Sequence, residues 1–220
     1  SVGAGAALIA AERKLGDASI RWDLGRQEFV GRLDASPFPV VLVEASEDYP
    51  DGRPLMLIGS GKFGVDDWAE PLDGQMVNAS GILVTHNGYE MLVIGQQQNL
   101  TAADSGSEIV PEPVVEDLGT ITLKGEITDG KCEMGAMRPG NGKTHKGCAN
   151  LCLIGKTPSL FLLQGEGDDI ALLMTTGPDG EEMNDAWLDW TGLYVEASGK
   201  LTRKGGLVYF AIDPESLAFL

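Results

Sequence analysis

Apolar and polar positions alternate along Val77, Ala79, Ile82 and Val84, and again along Val195, Ala197 and Leu201. A period of two puts one set of side chains on each face of a β-strand. Each run ends at a dipeptide that tolerates positive φ, Asn87-Gly88 or Gly205-Gly206. A second apolar run follows, Met91 to Ile94 in one case and Leu207 to Ile212 in the other. The pattern predicts two β-hairpins with tight turns.

The two hairpins belong to a repeat. GQMVNASGILVTHNG, from Gly74 to Gly88, lies without a gap on GLYVEASGKLTRKGG, from Gly192 to Gly206, and Ile94 recurs in the same register as Ile212. Upstream, FVGRL at Phe29 to Leu33 resembles LKGEI at Leu123 to Ile127, with Gly31 matched to Gly125. VVLVE at Val40 resembles LFLLQ at Leu160, and the runs LMLIG at Leu55 and IALLM at Ile170 follow. Five short strands per copy, separated by turn signals, predict an all-β protein made of tandem duplicated small β-barrel domains, OB-like in architecture. A β-sandwich is the alternative. The first domain is expected over residues 21–108 and the second over 119–220, with the Pro- and Glu-rich segment 109–118 as linker.

The alignment isolates an inserted arm. Between Gly125 and Leu160 the second copy is far longer than the first is between Gly31 and Val40, and the excess is essentially residues 131–156, reading KCEMGAMRPGNGKTHKGCANLCLIGK. A loop at a barrel rim is a common place for function.

Chemistry is concentrated in that arm, which holds all three cysteines of the chain and one of its two histidines. His145, Cys148 and Cys152 are spaced i, i+3 and i+7, so two helical turns would put them on one face, and Cys132 can fold back to meet them. Three thiolates and an imidazole form a tetrahedral set suited to zinc, and the candidate ligands are Cys132, His145, Cys148 and Cys152. The spacing C-x12-H-x2-C-x3-C is not a usual finger pattern. Copper, aided by Met134 or Met137, and an iron–sulfur cluster remain open, as do a disulfide from Cys132 to Cys148 or Cys152 and free thiols. The segment GNGKTH is no phosphate-binding loop, because Met137 stands where that motif needs its first glycine.

Charge sets the arm apart. Lys131, Arg138, Lys143, Lys146 and Lys156 face Glu133 alone, in a chain of formal net charge −17. The cations are candidates for docking a protein partner or an anion, or for offsetting thiolates. Elsewhere the acidic field disfavours nucleic-acid binding. No acid–base or nucleophile motif stands out, so a catalytic role is not expected. With 43% hydrophobic and 22% charged residues the composition is that of a folded globular chain. Residues 1–20 fit either the end of a membrane anchor or a short frayed helix, since the apolar run stops at Glu12 and is too short to span a bilayer.

The segment GEITDGKCEMGAMRPGNGKTHKGCANLC resembles the signature of a group of uncharacterised bacterial exported or membrane-anchored proteins. In that group GEI-x-D-x-KC precedes M-x-PG-x-GK-x-H and CA-x-x-C. The resemblance implies an exported address, on the periplasmic side of a bacterial membrane. Together these readings give an expected function: a non-catalytic metal-binding accessory or assembly subunit, with zinc as its metal. Its basic arm would dock on a larger membrane-bound, redox complex. The alternative is a redox-active copper or iron–sulfur protein that carries electrons or metal.

Overall fold

The computed structural model describes residues 19–50, 52–104, 109–164 and 170–220. The first half supplies β1 (Ser19–Ile20), β2 (Arg26–Asp34), β3 (Val40–Val43), β4 (Arg53–Gly59), the one-turn helix α1 (Asp66–Ala69), β5 (Met76–His86), β6 (Tyr89–Ile94) and β7 (Leu100–Ala102). Strands β2, β3, β4, β6 and β5 pair in that order, and β5 returns to β2, closing a five-stranded barrel. The β4–β6 pair is parallel and its neighbours antiparallel.

The second half supplies β8 (Val115–Asp129), α2 (Lys146–Ile154), β9 (Ser159–Gln164), β10 (Ile170–Thr176), α3 (Asn184–Trp187), β11 (Tyr194–Lys204), β12 (Leu207–Ile212) and β13 (Ala218–Phe219). Here β8, β9, β10, β12 and β11 form a second closed five-stranded barrel, again with one parallel pair, β10–β12. The protein is therefore mostly β, as the alternation predicts. Of the expected linker, residues 115–118 already belong to β8, where Val115 pairs with Lys204. Of the N-terminal segment, residues 1–18 lie outside the described residues, while Ser19 pairs with Thr85 at the start of the first barrel. Among the described residues no helix is long and apolar enough to cross a membrane.

Both hairpin turns follow from their sequences. His86 pairs with Tyr89 across Asn87 (φ 47°) and Gly88 (φ 86°), and Lys204 pairs with Leu207 across Gly205 (φ 57°) and Gly206 (φ 83°). Two successive positive φ angles match the right-handed twist of the flanking strands. Gly31 and Gly125 mark close approaches of backbone, for a Cβ at either would come within 2.5 Å of Leu42 O or 2.4 Å of Leu162 O.

The unbroken apolar runs have a physical cause. Inside the first barrel lie Leu33, Val41, Leu57, Val77, Leu92 and Ile94. Inside the second lie Leu123, Ile127, Phe161, Leu173, Val195 and Phe210. The alternate residues of the same strands, Val40, Met56, Ile58 and Met91 from one barrel and Leu160, Leu162, Leu172 and Met174 from the other, form a third apolar cluster. The barrels thus press β3, β4 and β6 against β9, β10 and β12, so these strands are covered on both faces and read as continuous hydrophobic stretches.

Candidate metal centre

The arm leaves β8 at Asp129 and opens with a wide helical turn, Cys132–Ala136, broken at Gly135 with φ 120°. Asp129 is fully buried, and its carboxylate fixes two things together. One oxygen accepts from the Cys132 backbone N–H at 2.9 Å, and the other lies 2.8 Å from His145 Nε2. His145 stands at the start of α2, and the next two turns of that helix carry Cys148 and Cys152 to the same side. The three Sγ atoms lie within 4.8 Å of one another, with Cys132 and Cys148 separated by 3.8 Å. All three are free thiols.

Cys132, Cys148 and Cys152 therefore lie close enough to hold a metal ion, and His145 and Asp129 group with Cys132 beside them. The expected set of three sulfurs and one imidazole is divided by Asp129, which engages the His145 ring. A carboxylate–imidazole contact of this kind is the usual way a protein orients a histidine near a metal.

Two other groups reach the sulfurs. Lys62, from the loop after β4 in the first barrel, places Nζ 2.7 Å from Cys148 Sγ and 3.8 Å from Cys152 Sγ. Met137 Sδ lies 3.4 Å from Cys148 Sγ. Lys62 arrives there because its loop is gripped by the arm. Lys131 Nζ donates to Gly59 O and Gly61 O, both at 2.6 Å, and Gly64 N–H donates to Gly155 O at 2.6 Å. Contact is so tight that a Cβ on Gly155 would lie 1.7 Å from Lys62 O.

The arm is also packed more firmly than its composition suggests. Met134 is completely buried in the cluster between the barrels. Asn184 Nδ2 donates to Leu153 O and Thr157 O, and Asn150 Nδ2 to Leu188 O, which fasten α2 to the second barrel. Lys146 Nζ is taken up by Leu188 O, Asp189 O and Thr191 O. Of the five cations expected to dock a partner, Lys131 and Lys146 thus hold backbone carbonyls within the molecule. Arg138, Lys143 and Lys156 are exposed.

Proximity of the thiols shapes their ionisation. The hydrogen bond between Cys132 and Cys152 pushes the Cys132 thiol far above its ordinary range, burial and Asp129 adding to the effect. The same bond pulls Cys152 down, with a smaller contribution from the Lys62 charge. Lys62 is pushed up, first by its bond to Cys148. Burial pushes Lys131 down. One cysteine of the pair thus holds its proton more tightly and the other gives it up more readily, toward the thiolate form that binds metals.

Sequence reasoning could not reach Lys62, which is remote in the chain and marked only by the glycines of GSGKFG. Asp129 was visible as the D of the GEI-x-D-x-KC signature, without a role. No protein-family model, curated protein or solved structure matches the chain.

Proposed function

We propose that the chain is a non-catalytic metal-binding accessory or assembly subunit whose metal, zinc, is held by the thiolates of Cys132, Cys148 and Cys152. One observation carries this reading. Sulfurs around a tetrahedral zinc with bonds of about 2.3 Å sit about 3.8 Å apart, and Cys132 Sγ and Cys148 Sγ are separated by 3.8 Å. Three thiolates around a divalent ion leave one net negative charge, which the Lys62 ammonium at 2.7 Å offsets. His145 or a solvent or partner group completes the set.

The shared strand order, the single parallel pair in each barrel and the matched glycines Gly31 and Gly125 support two OB-like barrels derived by duplication. On this reading the metal joins the arm of the second barrel to a lysine of the first. The exposed Arg138, Lys143 and Lys156 are then the cations offered to an acidic partner. The partner is a membrane-bound complex on the periplasmic side of a bacterial membrane, as the signature of the arm implies. Met137 favours a second reading. Its thioether beside Cys148 enlarges the soft donor set in the direction of Cu(I), and with it a redox or metal-carrying role.

Alkylation of the native protein, followed by mass spectrometry, tests the proposal. In chelator-treated protein the half-buried Cys148 should be modified first, and refilling with zinc should protect it. Equal modification of Cys148 with and without zinc would sink the zinc reading. Protection by Cu(I) but not by zinc would select the copper one.

A further inference from the structure

A cleft of about 550 Å³ opens beside the sulfurs, between the arm and the outer face of the first barrel. It lies within the ~300–1,000 Å³ range of small-molecule sites. One wall is apolar. Ile82 and Val93 face each other across the β5–β6 pair, and Ile20 from β1 lies alongside. Met137 of the arm and Trp22, on the turn after β1, line it too, and Trp22 is 69% exposed. A largely exposed tryptophan at the mouth of an apolar cleft is a ready-made flat contact for a ligand.

The charge of the lining is unlike that of the rest of the molecule. Among the described residues Arg26, Lys62 and Lys131 line the cleft and no Asp or Glu does, in a chain with 33 acidic and 16 basic residues. Lys62 and Lys131 also serve the sulfurs and a loop, but the lining stays net positive both with protonated thiols, which are neutral, and with three thiolates around a divalent ion, which carry one net negative charge. Arg26 sits on the exposed side, its guanidinium resting on Ser80 O and Oγ at 3.3 Å. A positive field beside apolar walls favours an anion with a hydrophobic body and repels an amine.

We propose that this cleft is a binding site for a small amphiphilic anion, with its apolar tail against Ile82, Val93 and Trp22 and its charged end toward Arg26 and Lys62. The inference goes beyond the metal centre and does not depend on it. Octanoate, octan-1-ol and octylamine serve as probes for the full chain. Each is titrated by calorimetry and by tryptophan fluorescence, on both chelator-treated and zinc-treated protein.

The expected result is saturable binding of octanoate, with octan-1-ol and octylamine at least tenfold weaker. Trp22→Ala should remove the fluorescence change and weaken octanoate at least tenfold. Arg26→Gln should bring octanoate down to the level of octan-1-ol, with unchanged circular dichroism. The site is overturned if octanoate does not saturate, if octylamine binds as well, or if both variants bind octanoate like the parent. Binding that persists in chelator-treated protein leaves the cleft standing even where the metal reading fails.

Discussion

Substitution of Met134 by alanine tests whether the arm is built into the core or merely laid over it. The side chain is fully buried in the cluster between the barrels, and its turn touches β1, β5 and β6. Removing the three atoms beyond Cβ forfeits about 2.4 kcal/mol of transfer free energy at ~0.8 kcal/mol per buried group. A void of roughly 70 Å³ at ~24 cal/mol per Å³ adds up to about 1.7 kcal/mol where the surroundings do not relax. The expected loss is about 2–4 kcal/mol, which lowers Tm by roughly 4–16 °C in a chain of this size. Urea denaturation followed by circular dichroism, in chelator, measures it without any contribution from metal. A loss below about 1 kcal/mol would refute the placement of Met134 between the barrels.

Three further substitutions address separate parts of the account. Lys62→Met should lower zinc affinity at least tenfold and move metal release to higher pH. Without the ammonium the thiols hold their protons more tightly, so a competition titration with a chromophoric chelator that shows parent affinity would contradict the role given to Lys62. Gly155→Ala should destabilise the protein and weaken zinc binding together, since its Cβ would lie 1.7 Å from Lys62 O; normal metal affinity in a destabilised variant would separate the two effects. Asp66 is pushed above the ordinary carboxylate range, first by burial, and its Oδ2 has no hydrogen-bond partner among the described residues. A raised carboxyl adds stability that is complete below its unfolded pKa of about 3.9 and is lost as pH rises through the folded value. Asp66→Asn should therefore match the parent in urea midpoint near pH 3.5 and exceed it near pH 7, and a constant difference across that range would contradict the assignment.

The fold was legible in the sequence wherever local rules act. Asn87-Gly88 and Gly205-Gly206 need positive φ, so the hairpins and their registers could be written down from the alternation around them. The packing of one barrel on the other was not legible. Runs such as LMLIG and LFLLQ say that both faces of a strand are covered, but not by what. In the arm, helical spacing correctly brings Cys148 and Cys152 to one side, and Cys132 joins them through the turn that Asp129 caps. Spacing could not foresee that Asp129 engages His145, nor that Lys131 and Lys146 turn inward to backbone carbonyls, because those partners come from other strands and loops. Lys62 illustrates the limit most clearly: only the docking of two barrels puts it beside Cys148.

The central claim is a metal held by three sulfurs. X-ray absorption at the metal edge, with elemental analysis of protein purified without added metal, tests it most directly. The account predicts one metal per chain with three sulfur neighbours at about 2.3 Å, and loss of both in Cys148→Ser. A protein that carries no metal and takes none up, or one whose metal has only oxygen and nitrogen neighbours, would contradict it.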